Sequence, residues 1–412
     1  SHAHSGSPQD EAVSDRLFGY LLRLDTAALA KARRGARDPN WRQWLEMQVV
    51  YREGPEALAA WMNRPNALPQ RPAMPRHVTR WVTAESIDHI ALLLPLEGRL
   101  AGAGEAVLSG AIDQLYTLFP NPSSRPALTT LNSTQPRGIK DLYRQAAADG
   151  ADLVIGPLIK EDVASLGQLA HRTVPVIALN QTDTLTGSFS RNWMSLSLAP
   201  EDEARQIADV AFGQACRHAI VVGMNSDRGA RLLSSFTDRW TQNGGRIRGQ
   251  LVVDNPADTN TDMGKLLGSG SSDRRIRAIE RAFDLPVDAR ERGRSDFECI
   301  FMLAPDAATA RTWRPLLVFH MTGDVPVYAT SAINDGVADA RNRDLNGVVF
   351  VETPTMFPPE ITDRLSRLRA LGRDALTLAQ HWQQTIETTQ WVVRGQTGLL
   401  RRKQDGSVER EL

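Results

Sequence analysis

An excess of charge of either sign is missing from this 412-residue sequence, in which Lys plus Arg and Asp plus Glu both number 48. A dedicated nucleic-acid binder normally carries a basic excess or a clustered basic face, so we predict no nucleic-acid partner. Apolar runs approaching the roughly 18 to 20 residues that span a bilayer are also missing. The composition therefore predicts a globular chain of two or three domains without a membrane helix.

Cysteine is scarce, since Cys216 and Cys299 are the two in the chain. Each lies beside or within a predicted strand. Neither has a CxxC partner or a histidine at ligand spacing, so they do not predict a metal site. We interpret them as buried free thiols that behave as small apolar side chains. A disulfide is the alternative if the compartment is oxidising.

Motifs of common catalytic sites are missing as well. Neither a Walker A motif nor a Gly-x-Ser-x-Gly nucleophile elbow occurs. The string Gly98–Gly104 has the spacing G-x-x-x-G-x-G, which departs from the order of a dinucleotide fingerprint. The histidines are scattered, without an H-E-x-x-H pair. We therefore predict no enzyme activity, no cofactor and no metal.

The beginning of the chain has a helical pattern. Leucines recur near the helical period, at Leu17, Leu21, Leu22 and Leu24. Further helices are predicted from Trp41 and from Pro55, and we assign residues 10–63 to a short all-helical segment. Four prolines between Arg64 and Pro75 cannot continue a helix, so residues 64–86 are predicted to be a linker.

From His89 onward, about ten short apolar strands alternate with helices, which indicates parallel sheets covered on both faces. Ten strands exceed one comfortable sheet, so we predict an α/β fold with two doubly wound lobes within residues 87–412. The first lobe covers about 87–198 plus a late return of the chain, and the second covers about 199–345 plus the C-terminal hairpin. The predicted crossovers lie near Leu198-Ala199-Pro200 and after Thr330.

The C-terminal sequence GQTGLLRRKQDGSVEREL predicts a β-hairpin. The strand-like stretches LLRRK and VEREL flank the turn at residues 404–407. Gly406 can adopt the positive φ that such a turn requires.

The segment from Asp254 to Ser295 is polar and rich in arginine, with the stretches DRRIRAIERAF and DARERGRSD. A solvated helix and loop is the interpretation we favour. A docking surface for an acidic partner is the alternative.

Candidate binding residues follow from the rule that open α/β sheets hold ligands at the carboxyl ends of their strands. We predict an interlobe cleft lined by Glu97, Gly98, Gly156, Pro157, Asn180 and Gln181 of the first lobe and by Asn225 and Ser226 of the second. From Gly156 to Asp162 the chain offers no hydroxyl, Pro157 donates no N–H, and Glu161 and Asp162 add negative charge. This cleft is therefore poorly suited to an α-amino acid or another anion.

Several stretches together resemble the LppC/LpoA family of lipoproteins. They are ALLLPLEGRLAGAGEAVLSG, DLVIGPLIKEDVASL, PVIALNQ, PVYATSAI, NRDLNGVVF and the C-terminal hairpin sequence. The resemblance implies a type I periplasmic-binding-protein-like domain preceded by the end of a helical-repeat domain. It also implies a position on the periplasmic face of the outer membrane, with the lipid anchor outside this chain.

The function implied by this resemblance is that of a non-enzymatic regulator that activates a class A penicillin-binding protein. Peptidoglycan itself is a further candidate partner, and the synthase-contacting residues are not predicted. The alternative hypothesis is a periplasmic receptor that captures a small solute or a cell-wall fragment between its lobes.

Overall fold

The computed structural model describes residues 8–64, 78, 87–169, 172–182, 192–284, 286, 293–357, 362–387 and 391–412. The chain divides into two compact units, Ser1–Leu198 with Leu365–Glu411 and Ala199–Arg364 with Leu412. The first boundary coincides with the crossover predicted near Leu198. The predicted linker, apart from Arg64 and Val78, falls outside the described residues.

The all-helical segment belongs to the first unit. Its helices are α1 (Pro8–Leu22), α2 (Thr26–Gly35), α3 (Pro39–Glu53) and α4 (Pro55–Met62). Carboxylates cap two of them, because Asp25 accepts a hydrogen bond from Ala28 N (2.6 Å) and Asp38 accepts one from Trp41 N (2.8 Å). The segment is not set apart from the rest of the chain, since its core also contains Val392.

The first unit contains a five-stranded parallel sheet in the order β2-β1-β3-β4-β5. The strands are β1 (His89–Leu94), β2 (Ala127–Asn132), β3 (Leu153–Ile155), β4 (Val176–Ala178) and β5 (Trp193–Ser195). The helices between them are α5 (Ala101–Leu118), α6 (Ile139–Ala148) and α7 (Lys160–Gly167). Side chains alternate across the sheet, so Leu92 and Leu94 join one apolar core while Ala91 and Leu93 join the other.

The second unit contains another five-stranded parallel sheet, in the order β10-β9-β8-β6-β7. The strands are β6 (His218–Met224), β7 (Arg246–Val253), β8 (Cys299–Leu303), β9 (Val327–Ala329) and β10 (Val348–Phe350). Its helices are α8 (Pro200–Gly213), α9 (Asp227–Gln242), α10 (Asn260–Leu267), α11 (Ser269–Phe283) and α12 (Ala307–Leu317). Two parallel sheets of five strands confirm the predicted fold class.

The chain then returns to the first unit. It forms α13 (Ser366–Gln380), α14 (Trp382–Glu387) and a small antiparallel sheet of β11 (Val393–Arg394), β12 (Leu399–Arg402) and β13 (Val408–Glu411). Shorter 3-10 turns occupy Gly98–Leu100, Pro122–Ser124, Pro256–Asp258, Ser331–Ile333, Ala340–Leu345 and Pro354–Met356, and a π-helical turn occupies Val318–Thr322.

The C-terminal hairpin is confirmed, but its assignment to the second lobe is wrong. β12 and β13 pair in antiparallel fashion, and Gly406 in the turn has φ +81°. The hairpin attaches to the first unit because Leu400 and Val408 fill its apolar core. Ser195 N at the edge of the first sheet also donates to Gly406 O (2.9 Å).

The interpretation of the cysteines as free thiols is wrong, because Cys216 and Cys299 form a disulfide within the second unit. Cys216 lies just before β6, and Cys299 begins the neighbouring strand β8, where it pairs with Ala219. The two Cα atoms are 6.1 Å apart, which lies within the range for a disulfide. Strand order therefore brings together two thiols that are separated by 83 residues.

Candidate functional site

The cleft residues predicted in the first unit lie in loops that follow neighbouring strands. Glu97–Gly98 follows β1, Gly156–Pro157 follows β3, and Asn180–Gln181 follows β4. These three strands are adjacent and parallel, so the loops share the carboxyl edge of the sheet. Glu97–Gly98 is exposed, Gly156–Pro157 is buried, and Asn180–Gln181 is half-buried.

Asparagine side chains stabilise these loops through hydrogen bonds to groups of the loops themselves. Asn180 Nδ2 donates to Leu158 O (3.0 Å), and Asn180 Oδ1 accepts from Gln181 N (2.9 Å). Asn132, which sequence reasoning missed, ends β2 and accepts from Leu96 N (3.0 Å) and from the Thr134 hydroxyl (2.7 Å). Its position at a strand end is the same signal that identified Asn180. Asn132 thus joins the loops that follow β2 and β1, and Asn180 joins the loops that follow β4 and β3.

Gly156 occupies a position that leaves no room for a side chain. Its φ is +106°, and a Cβ atom at this position would lie 2.2 Å from Leu93 O. Its amide donates to Ile177 O (2.8 Å), which fixes the loop against β4. Gly156 therefore has a structural role at the centre of the edge.

The start of α7 is the point at which a receptor of this fold would hold an anion by backbone N–H groups. The residue before the helix, Ile159, makes no side-chain cap, and Glu161 and Asp162 lie in the first turn. Burial and, after it, the like charge of Glu161 raise the pKa of Asp162. This helix start consequently carries its own carboxylates where a ligand carboxylate would bind.

In the second unit, Asn225 and Ser226 follow β6 and are exposed. Asn225 Nδ2 donates to Asp254 Oδ1 (2.6 Å), which ties the end of β6 to the end of β7. Ser226 Oγ accepts from Gly229 N (3.0 Å) and caps α9. Both side chains therefore stabilise local structure within the second unit.

Two buried carboxylates in the second unit, which the sequence analysis did not single out, contact loops that follow strands: Glu203 in α8 and Glu352 after β10. Glu203 Oε2 accepts from Ser331 N (2.9 Å) just after β9. Glu352, just after β10, accepts from Thr353 N and from Asn334 Nδ2 (2.8 Å each). Glu203 lies in the first turn of α8, and its carboxylate holds a loop 128 residues away.

The side chains described at the two carboxyl edges therefore hold loops of their own units. Among the described residues, no group of three or more His, Cys, Asp or Glu side chains is placed to hold a metal ion.

A second polar cluster, which sequence reasoning missed entirely, fastens the all-helical segment to the rest of the first unit. Trp391 Nε1 donates to the Tyr51 hydroxyl (3.1 Å), and that hydroxyl donates to Gln384 Oε1 (3.4 Å). The His381 ring lies 5.9 Å from the Tyr51 ring and 5.4 Å from the Trp391 ring. Burial lowers the pKa of His381 to about 4 and raises the pKa of Tyr51 above its usual range.

Two arginine side chains also stabilise this junction by donating hydrogen bonds to backbone carbonyl groups at the C-terminal end of α1. Arg52 Nη2 donates to Leu24 O (2.6 Å) and Leu21 O (3.2 Å), and Arg394 donates to Arg23 O. These carbonyl groups lack partners inside the helix, and cations there also favour the helix dipole. The helical segment is thus held by both apolar and polar contacts.

Asp374 lies beside a cavity of about 330 Å³ at this junction. Its carboxylate accepts from Gln396 N (2.6 Å), Thr397 N (2.8 Å) and the Thr397 hydroxyl (2.5 Å). Burial raises the pKa of Asp374 to about 6, and these hydrogen bonds oppose the increase. The carboxylate holds the loop that leads from β11 to β12.

We expect the substitution Asp374→Asn to destabilise the chain by about 1 to 3 kcal/mol, because an amide cannot accept from all three donors. The loss should be larger at pH 4.5 than at pH 7.5. Since the folded pKa is raised, the stability that protonation of Asp374 contributes is present below about pH 4 and disappears as pH rises through about 6.

Urea unfolding at the two pH values measures this difference. Asp149→Asn, which removes an exposed carboxylate from the same unit, is measured in parallel as the control for the loss of one acidic group. An equal loss for Asp374→Asn at both pH values would contradict the linkage.

The two parallel sheets, each enclosed by helices and connected by a chain that crosses and returns, define a type I periplasmic-binding-protein-like domain. The chain belongs to the LppC lipoprotein family, whose family model matches residues 3–412. Among the described residues, none of the helices has the length and apolarity that crossing a membrane demands.

The penicillin-binding protein activator LpoA of Photobacterium profundum is 25% identical over 398 residues. The match covers 90% of this chain and 64% of that protein, so this chain spans slightly less than two thirds of the length of this relative.

Two solved structures share the fold. The LpoA (YraM) C-domain of Haemophilus influenzae, a regulator of PBP1A, matches with a TM-score of 0.61 and 22% identity, covering 78% of this chain and 95% of that chain. A Chromobacterium violaceum protein described as a putative branched-chain amino acid ABC transporter matches with a TM-score of 0.58 and 26% identity, covering 79% of this chain and 98% of that chain.

Proposed function

We propose that this chain binds a class A penicillin-binding protein and stimulates its peptidoglycan synthesis without catalysing a reaction itself. The observation that carries the proposal is membership of the LppC family over residues 3–412, together with a relative named as a penicillin-binding protein activator.

The proposed location is the periplasmic face of the outer membrane, where the protein is held as a lipoprotein. The Cys216–Cys299 disulfide supports this location, because disulfides persist in oxidising compartments such as the periplasm. Peptidoglycan as a direct partner stays a prediction.

Surface plasmon resonance with the immobilised chain tests the proposed partner. We expect saturable binding of the periplasmic domains of a class A penicillin-binding protein from the source bacterium. A monofunctional class B protein is the control and should not bind. Equal binding of both proteins, or of neither, would overturn the proposal.

The rival function is capture of a small solute. The observation in its support is the 26% identity to the Chromobacterium violaceum protein, which is described as a putative branched-chain amino acid ABC transporter. At the start of α7, however, Glu161 and Asp162 would repel a ligand carboxylate, and Ile159 provides no hydroxyl. A buried charged acceptor without hydrogen-bond partners costs several kcal/mol.

We therefore expect isothermal titration with a panel of α-amino acids to detect no binding tighter than millimolar. Binding of any of them at micromolar concentration would favour the receptor.

A further inference from the structure

A groove of about 610 Å³ lies between α2 and α3 of the all-helical segment. Its apolar wall is formed by Leu29 and Ala30 of α2 and by Val49 of α3. A volume of this size lies within the range of sites that hold small molecules or short segments of another chain. The groove is therefore a candidate binding site in the first unit, separate from the carboxyl edges of the sheets.

Arginines lie on the same side of α2 as the apolar wall. Arg33 is four positions after Leu29, and Arg34 is four positions after Ala30, so each pair shares one face of the helix. Both arginines line the groove and are exposed. Neither makes an ion pair or a side-chain hydrogen bond with any residue that the structure describes. The groove thus combines an apolar wall with unpaired cations.

The groove adjoins the cavity of about 330 Å³ at the junction with α13 and β11, since Thr26, Arg52 and Glu53 line both. Arg394 also lines this junction cavity. Arg52 and Arg394 each use Nη2 to hold carbonyl groups at the end of α1. Their Nε and Nη1 groups make no hydrogen bond to the described residues. Both guanidinium groups are therefore fixed in position and still have donors for a ligand.

The two fixed cations are also close enough to repel each other. Burial and, after it, the like charge of Arg394 lower the pKa of Arg52, and the charge of Asp25 opposes this effect. Asp25 is already used as the cap of α2, where it accepts from Ala28 N. An anion bound between the two arginines would relieve the repulsion between them.

Carboxylates lining the two cavities do little to balance these arginines. Glu53 is the one acidic side chain among the described residues that line the groove. Asp374 in the junction cavity is 1% exposed and already accepts from three donors of the loop after β11. Four arginines and one exposed carboxylate thus line the two cavities, in a chain whose formal net charge is zero. This surface is complementary to an anionic ligand.

We infer that the groove and the junction cavity, which together we term the arginine groove, bind a short acidic peptide in an extended form. Its carboxylates pair with Arg33, Arg34, Arg52 and Arg394, and its apolar side chains pack on the wall around Leu29. An inorganic anion would leave that wall uncovered, and a neutral or basic peptide would leave the arginines unpaired. Each exposed ion pair contributes little by itself, so the peptide must make several at once and a free amino acid should not bind tightly. This site goes beyond the proposed function and does not depend on it.

Fluorescence anisotropy with labelled hexapeptides tests the inference. The probe is a peptide of alternating glutamate and leucine. One control peptide has glutamine in place of glutamate, and the other has serine in place of leucine. We expect saturable binding of the Glu/Leu peptide and binding at least about tenfold weaker for each control, since one lacks the charge and the other the apolar contacts. Equal affinities for the Glu/Leu and Gln/Leu peptides would contradict the inference.

The protein variant R33E/R34E reverses two charges that make no contact within the described fold. We expect it to weaken binding of the Glu/Leu peptide at least about tenfold. The matched control is R99E/R228E, because Arg99 and Arg228 are also exposed and lie outside the arginine groove, and the change in net charge is the same. Circular dichroism and thermal midpoints verify that both variants are folded. If the two variants have the same affinity for the peptide, the inference is wrong.

An anionic lipid, a small anion and a second copy of the chain are the other possible occupants of the arginine groove. Co-sedimentation with phosphatidylglycerol vesicles, titration with citrate and analytical ultracentrifugation detect them. If R33E/R34E abolishes vesicle binding or self-association while the wild-type chain fails to bind the peptide, the groove serves a lipid or a second copy. Citrate that binds as tightly as the peptide would show a site for small anions only. Each of these results would overturn the inference and leave the proposed function untouched.

Discussion

Replacing both cysteines by alanine, C216A/C299A, is expected to lower the free energy of unfolding by about 4 kcal/mol. The disulfide closes a loop across 83 residues, and its loss frees that loop in the unfolded chain. Cys216 and Cys299 are also buried in an apolar cluster, at 4% and 0% exposure, so smaller side chains leave space there. Thermal and urea unfolding measure the loss.

The matched control for this prediction is chemical. Reductant should destabilise the wild-type chain by a similar amount and leave C216A/C299A unaffected. If the wild-type chain responds to reductant no more than the variant does, the disulfide does not support the fold as described.

The substitution Gly156→Ala is expected to destabilise the first unit by about 3 kcal/mol. A positive φ disfavours any side chain by roughly 1 to 3 kcal/mol, and the new Cβ would lie 2.2 Å from Leu93 O inside the sheet. Forcing an atom into such a packed site typically costs about 1 to 3 kcal/mol more. Because the loop also carries Pro157 and the start of α7, its displacement should alter the whole carboxyl edge.

Gly150→Ala separates the two causes. Gly150 also has a positive φ, of +84°, but nothing lies within 4 Å of its Cβ position. We expect Gly150→Ala to lower the free energy of unfolding by only about 1 kcal/mol, which is the cost of placing a side chain at a positive φ. Equal losses for the two variants in urea unfolding would show that the contact with Leu93 contributes nothing.

The order of strands and helices could be predicted because each apolar strand has a local signal. About ten strands are expected from His89 onward, and the two parallel sheets contain ten. Asp405–Gly406 marks the hairpin turn. The location of the hairpin could not be predicted in this way. It depends on which core Leu400 and Val408 fill, and that core is assembled from distant parts of the chain. The disulfide stayed the alternative to free thiols for the same reason, since it requires β6 and β8 to be neighbours.

Strand ends were also sufficient to place the candidate cleft residues on the carboxyl edges of the two sheets. What each side chain does there could not be predicted. Asn225 bonds with Asp254, and Glu203 bonds with the Ser331 amide, because the loops of neighbouring strands meet only in the folded chain. The junction around Tyr51 and Trp391 was missed since the two residues are 340 positions apart.

We propose that this chain activates a class A penicillin-binding protein. The most direct measurement is the rate of glycan-chain polymerisation and peptide cross-linking by the purified synthase on lipid-linked precursor, with increasing amounts of the chain. We expect a saturable increase in at least one of the two rates, at concentrations that match the measured affinity. Unchanged rates at concentrations that saturate binding would contradict it.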